Sequence, residues 1–374
     1  SAKLNLVDLP KYKGLIVAHF YSDEQALSLV EDLVDLGPSA IEYIDKATLD
    51  ASKDNIEQQG NRVWIDGDPE SVLIIDFFSD TPKRLDFLIA ECQAILQANG
   101  SYSIKLIDKS DRNKVWGVRK AGLGLLMGKV GPKKAIAVME DAAVPVSRLY
   151  SYYQEIKSLM KSYSVDAVYY GHASVGLIHI RPILDLSKNK DQKIMHSIAK
   201  KVSKIVKKYH GSLSGEHGDG RVRAPFLEEQ FGRVVYQYFV DLKYTFDPGN
   251  LFNPGVILSD KSIVEDLRPV VSQQELTTAF NWKGDLSFFY AVEKCNGAGV
   301  CRKSTGGNMC PSYRATRSEE FSTRGRANLL RKALSAENPT KSLKSNELKE
   351  ALDLCLSCKA CKRECPANVD MAKL

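Results

Sequence analysis

Apolar positions along the first 259 residues follow two spacings. Short runs at Gly14 to Phe20, Ala40 to Ile44, Ser71 to Phe78 and Tyr102 to Ile107 predict strands. Helical spacing predicts helices over Ser22 to Leu36, with Asp23 and Glu24 in its first turn, and over Thr81 to Ala98, ended by Asn99 and Gly100. The order is β-α-β, then β-α-β, which is the split arrangement of a ferredoxin-like sandwich.

A second round follows: a helix at Val115 to Leu126, a strand at Ala135 to Met139 and a helix at Val146 to Tyr163. Strands at Ala167 to Tyr170 and Leu177 to Pro182 come next, then a long helix, Asp191 to Tyr209, with Ile194, Ile198, Val202 and Ile205 on one stripe. The expected fold class is α+β, a duplicated ferredoxin-like α/β sandwich making one domain of residues 1–259. Residues 260–285 read as a polar linker. Residues 286–374 read as a small, mainly α-helical domain, truncated at its end, in which Thr323 to Leu334 and Leu343 to Leu354 are helical between Gly- and Cys-rich loops.

A length of 374 residues suits two or three domains, and 44% apolar with 26% charged residues excludes disordered and collagen-like classes. No apolar run approaches the roughly 18 residues of a spanning helix, and the N-terminus lacks the order of a signal peptide. The expectation is a cytoplasmic protein, or one peripheral to the inner face of the membrane. Net charge adds one point. Residues 291–374 hold 16 Lys and Arg against 9 Asp and Glu, more than the whole excess of +6. A basic segment that also holds seven of eight cysteines points to an anionic metal cluster rather than to nucleic acid. The eighth, Cys92, sits in an apolar helical run and reads as a buried structural thiol.

The run Cys355-x2-Cys358-x2-Cys361-x3-Cys365-Pro366 has the bacterial ferredoxin spacing, in which three cysteines bind one [4Fe–4S] cluster and the fourth reaches another. Upstream, Cys295-x5-Cys301-x8-Cys310-Pro311 is a looser version. By the crossing rule Cys310 completes the cluster of Cys355, Cys358 and Cys361. Cys295, Cys301 and Cys365 remain, one ligand short of a second four-iron site. A non-cysteine ligand, a three-iron cluster or no second cluster are all open. A structural zinc fold is the competing reading, although its paired C-x2-C knuckles are normally farther apart.

In the first domain, Gly171-His172-Ala173-Ser174-Val175-Gly176-Leu177-Ile178-His179 sets two histidines across a loop, and Gly215-Glu216-His217-Gly218 adds a carboxylate and a third imidazole. Two histidines and a carboxylate can bind Zn²⁺, Fe²⁺ or Mn²⁺ with positions left open, which leaves His217 as general base. The alternative is a glycine-rich turn with internally hydrogen-bonded histidines. Arg119 and Lys134 could bind an anionic substrate, by a guanidinium fork and a point charge respectively. Gly122-x-Gly124-x3-Gly128 follows a helical segment instead of a strand, so it fails as a dinucleotide fingerprint. Ser322 to Arg326 reads as a helix N-terminus, its arginines facing solvent or the cluster.

Three stretches, Tyr170 to Pro182, Ser214 to Gly220 and Phe246 to Gly255, resemble the C-terminal half of FAD-linked D-2-hydroxyacid dehydrogenases. Cys295 to Pro311 and Cys355 to Pro366 resemble the iron–sulfur part of their large fused bacterial members. The resemblance implies a divalent metal on His172, His179 and Glu216, a base at His217 and carboxylate binding by Arg119 and Lys134. It also implies that Asn250 and Asn253 run near the flavin. The family's commoner Gly-Asp-Gly-Asn loop is here Ser174-Val175-Gly176-Leu177, so one polar substrate contact is missing.

The family holds FAD mainly in an N-terminal glycine-rich domain that this sequence does not contain, so the chain is expected to be part of a longer enzyme or to need a flavin-binding partner. The implied function is oxidation of a D-2-hydroxyacid to a 2-oxoacid, with electrons leaving FAD through iron–sulfur clusters to a quinone or redox protein. The rivals are an electron-transfer module whose His/Glu group is structural, and a structural zinc protein.

Overall fold

Leu15 and Val17 face one side of their strand, and Ile16, Ala18 and Phe20 the other, yet all five are fully buried. An unbroken apolar run of this kind belongs to a strand covered on both faces. In the computed structural model, which describes residues 3–6, 8–53, 55–128, 130–268 and 276–374, this strand is β1 (Tyr12–Phe20). It pairs with β3 (Ser71–Ser79) and β4 (Ser103–Leu106), and β3 pairs with β2 (Ala40–Asp45). The second round adds β5 (Lys134–Ala135), β6 (Ala167–His172) and β7 (His179–Leu184). The order is β4-β1-β3-β2-β6-β7-β5, antiparallel throughout.

The first four strands thus have the ferredoxin-like order, and the second round extends the same sheet by three more. They meet at β2 and β6, where the register sets Glu42 opposite His172. The expected strand Ala135 to Met139 pairs only at its start. Ile136 N–H bonds the Pro182 carbonyl at 2.9 Å, but Pro182 has no N–H to return, and backbone pairing with β7 resumes only at Glu140, whose carbonyl accepts from Ile180 N at 3.1 Å. The strand expected from Leu177 begins at His179, because Ala173–Val175 forms a 3-10 turn closed by Gly176 at φ 71°.

Helices α1 (Asp23–Ser28) and α2 (Val30–Val34) replace the single expected helix Ser22 to Leu36. With α5 (Pro82–Ala98), α7 (Leu149–Ser162) and α8 (Asn189–Lys208) they cover the face of Ile16 and Phe20 through Leu27, Leu33, Leu88, Ile156 and Val202. Cys92 lies in this core, where burial raises its thiol to about 12, as an inert structural cysteine should be. The other face carries α3 (Lys46–Ala51), α4 (Ile56–Gln59) and α6 (Arg112–Met127), with Leu49, Val115 and Val118 packed on Leu15 and Val17. Two further helices, α9 (Leu227–Phe231) and α10 (Arg233–Phe246), follow, and no residue of α10 is buried.

A separate core joins Val292, Leu330, Leu334, Leu348 and Val369 to the cysteine segment. It is built from α11 (Phe288–Glu293), α12 (Pro311–Thr316), α13 (Thr323–Leu334), α14 (Pro339–Ser342), α15 (Asn346–Asp353) and α16 (Ala360–Glu364). Ile263, Val264 and Leu267 pack on the first core and Leu276 on the second. Part of the expected linker, residues 269–275, lies outside the described residues. Among the described residues no helix is long and apolar enough to cross a membrane.

Candidate metal centre and thiolate groups

His172 ends β6 and His179 starts β7, so the turn between them brings both imidazoles to one edge of the sheet. Glycine permits the tightness: a Cβ on Gly171 would lie 2.5 Å from the Leu177 carbonyl oxygen, and on Gly176 it would overlap the Val144 carbonyl. The third segment, Ser214 to His217, is held by Asp141, which is fully buried. Its Oδ2 accepts from Ser214 Oγ at 2.7 Å, His217 N at 2.8 Å and Glu216 N at 3.2 Å, while Oδ1 pairs with Arg223.

Three imidazoles converge on one carboxylate. Nε2 of His172, His179 and His217 lie 3.5, 3.3 and 3.2 Å from Oε1 of Glu216. His172, His179 and Glu216 can each present a ligand atom within 4.8 Å of the others, and Glu140, His179 and His217 form a second such group. The far nitrogens are fixed differently. Nδ1 of His172 meets Glu42 Oε1 at 2.6 Å, Nδ1 of His217 meets Glu140 Oε1 at 3.1 Å, and Nδ1 of buried His179 has no partner among the described residues. Burial, aided by Arg119 and the neighbouring imidazoles, lowers His179 to about 3. The Glu42 hydrogen bond holds His172 above the ordinary value, against burial. An imidazole held toward its neutral form by burial beside a carboxylate, with a second imidazole seated on its own carboxylate, is a donor set that fits a divalent ion.

Arg119 extends from α6 to Glu42, its Nε donating to Oε2 at 2.7 Å with Nη2 2.6 Å from the same oxygen. Lys134 lies elsewhere. With Met127, Arg268, Glu293 and Cys295 it lines a cavity of about 230 Å³ between the two domains, and burial lowers its pKa. Asn250 and Asn253 occupy an exposed turn, both at φ 48°.

The cysteines sort into two groups. Cys310, Cys355, Cys358 and Cys361 line one small cavity, together with Arg326. Arg326 is 0% exposed, donates to Ala351 O at 2.6 Å and Ser312 Oγ at 3.0 Å, and lies 3.6 Å from Cys310 Sγ. No carboxylate pairs with it among the described residues. A buried guanidinium without a counter-ion is costly, so four thiolates around an anionic cluster are the partner this site fits. At the other group, the N-terminus of α13 sends Arg324 N–H to Cys301 Sγ at 3.4 Å. Burial raises the Cys365 thiol, with Cys295 and Cys301 near enough to add to the effect.

Sequence reasoning missed Glu42, Glu140, Asp141, Arg181 and the burial of Arg326. The available signal was an acid inside an apolar strand, Ala40-Ile41-Glu42-Tyr43-Ile44, where an unpaired charge is not tolerated.

An FAD-linked oxidase fold that carries an iron–sulfur domain is the class these features define. Residues 9–257 match the family described as FAD linked oxidases, C-terminal domain, and residues 291–369 match the 4Fe-4S dicluster domain. The chain belongs to the first family and carries the second domain. It is 29% identical to D-2-hydroxyglutarate dehydrogenase of Pseudomonas putida and 28% identical to that of Haemophilus influenzae, over 99% of its own length. It spans 41% and 40% of those proteins. It is 25% identical to D-lactate dehydrogenase of Archaeoglobus fulgidus, over 69% of this chain and 54% of that one. The 4-ethylphenol oxidase of Gulosibacter chungangensis matches in fold, with TM-score 0.50 and 11% identity, over 67% of this chain and 54% of the oxidase.

Proposed function

We propose that the chain is the substrate-side and electron-exit part of an FAD- and iron–sulfur-dependent dehydrogenase that converts a D-2-hydroxyacid to a 2-oxoacid. The observation that carries this reading is the convergence of three imidazoles on Glu216 in a chain that also holds the two cysteine groups. His172, His179 and Glu216 hold the divalent ion. When bound, that ion supplies Lewis acidity toward the 2-hydroxyl, and FAD supplies the hydride acceptor.

His217 receives the hydroxyl proton at Nε2. Glu140, on its Nδ1, fixes the tautomer and offsets the imidazolium charge. Arg119 keeps N–H groups beyond those facing Glu42, and it binds the substrate carboxylate; Lys134, at the domain junction, takes no part in that contact. The oxidation releases two electrons and two protons per hydroxyacid, and the electrons leave through the thiolate-bound clusters to a quinone or redox protein.

The flavin-binding portion is assigned to the exposed face of α10. Val234, Tyr238, Leu242 and Phe246 recur every four residues at 67, 64, 60 and 80% exposure, an apolar stripe that marks a contact surface. The relatives are more than twice as long as this chain, which leaves ample length for such a partner.

Metal and sulfide analysis after anaerobic reconstitution tests the reading. Sulfide with about four irons means one cluster, and about seven or eight means both groups are filled. A further equivalent of zinc, manganese or sulfide-free iron should disappear in His172→Ala. Stoichiometric zinc without sulfide would overturn the proposal.

A further inference from the structure

Gly117, Gly122, Gly124 and Gly128 crowd into α6 and its C-terminal cap, and the structure shows what they are for. Gly117 and Gly122 admit Asn61 and Thr48 from neighbouring segments of the first domain. Gly124 and Gly128, one turn apart on a single face, admit the cluster domain. A Cβ at Gly124 would lie 2.6 Å from Pro366 Cβ, and one at Gly128 would lie 3.0 Å from Ala367 Cα. Pro366 directly follows Cys365, and Ala367 is completely buried.

The contact orients the two thiolate groups. Cys295 lines the interdomain cavity with Met127 and Lys134, and Pro366 lines a second one, about 400 Å³, with Gly124, Met127 and Arg181. The cavity of Cys310, Cys355, Cys358 and Cys361 is instead lined only by residues between 309 and 372, and Cys358 is exposed. From the imidazole site, His217 meets Glu140, Glu140 pairs with Arg181, and Arg181 Nη1 donates to Met127 Sδ at 3.8 Å, on the cavity wall shared with Cys295. Arg119 and Gly124 are only about 7.5 Å apart along the helix axis.

We infer that the Gly124 and Gly128 face of α6 is the seat of the cluster domain, and that it makes Cys295, Cys301 and Cys365 the inner redox group and Cys310, Cys355, Cys358 and Cys361 the outlet. The seat positions the inner group and does no chemistry itself. The order of electron flow rests on the dehydrogenase reading; the seat does not. Each hydroxyacid yields two electrons, which pass singly through inner and outer groups to a quinone or one-electron redox protein.

The variants are Gly124→Ala, Gly124→Leu and Gly124→Ala with Pro366→Gly, made in the cluster-loaded chain and in the flavin-bearing protein. Alanine favours the helix itself, so any loosening it causes comes from the contact. Hydrogen exchange in the loaded chain reads the seat without any activity. Residues 121–128 and 367–369 should lose protection in Gly124→Ala and more in Gly124→Leu, and Gly124→Ala should regain it when Pro366→Gly is added; unchanged exchange would overturn the seat.

In anaerobic single turnover, Gly124→Leu should bleach the flavin at the normal rate. Its clusters, followed by freeze-quench EPR, should be reduced roughly tenfold more slowly, or worse, the scale on which small displacements act at positioned reactants. Clusters keeping pace with the flavin would overturn the positioning role. In Cys365→Ser the outer cluster should persist but escape rapid reduction by substrate, and its reduction at the normal rate would overturn the order. If no D-2-hydroxyacid bleaches the unaltered flavoprotein, the dehydrogenase reading fails while the exchange result still judges the seat.

Discussion

Replacing Glu42 by glutamine separates a carboxylate that tunes the metal site from one that merely fills space. The side chain is 8% exposed, and its two oxygens serve different partners, Oε1 at 2.6 Å from His172 Nδ1 and Oε2 at 2.7 Å from Arg119 Nε. Glutamine preserves shape and one acceptor but removes the charge. Each charge-assisted bond is worth about 1.5–3 kcal/mol, so losing the charge from both should cost roughly 3 kcal/mol, much of it from leaving Arg119 unpaired. At the ion, losing the carboxylate behind a ligating imidazole should weaken affinity about 10–100-fold. Urea unfolding gives the first quantity, and calorimetric titration of the metal-free chain with Zn²⁺ or Mn²⁺ gives the second. His172→Ala serves as the control that abolishes binding. An E42Q chain with unchanged midpoint and metal affinity within about twofold of the parent would refute the reasoning, since the support a carboxylate lends to a ligating imidazole could not then run through Glu42.

Two further outcomes are expected. Arg326→Met removes the buried cation at the four-cysteine group, so its cluster should be lost faster and its potential should fall by about 60 mV, equivalent to ~1.4 kcal/mol for one electron; an unchanged potential in EPR-monitored redox titration would count against a charge role. Asp45, the N-cap of α3, accepts from Thr48 N and Tyr169 N, yet burial raises it from 3.8 to about 6. Between those values the folded chain binds more protons than the unfolded one, so stability falls as pH rises through the window, by about 3 kcal/mol. Urea midpoints of Asp45→Asn at about pH 4 and pH 7 should lack that decline, and an equal decline in parent and variant would dismiss Asp45 as its source.

The sequence alone determined much of this protein because several of its signals are local. Strand and helix periods are set by neighbours a few residues away, so Gly14 to Phe20 and Thr81 to Ala98 were legible, and Thr323 to Leu334 agreed to the residue. The C-x2-C-x2-C-x3-C spacing is equally local, and the four cysteines that the crossing rule groups, Cys310, Cys355, Cys358 and Cys361, line one cavity. The close packing of His172, His179, His217 and Glu216 needed only two short glycine-rich loops to be noticed, although their meeting required the sheet.

Tertiary structure decided what depends on distant partners. Glu42 reaches His172 only because β2 pairs with β6, a register joining residues 130 apart. It also engaged Arg119 with Glu42 and carried Lys134 to the domain junction, which spacing along the chain does not encode. The glycines of α6 are the clearest case. In sequence they resemble a failed nucleotide loop, and only the approach of Pro366, more than two hundred residues later, gives their missing side chains a physical reason.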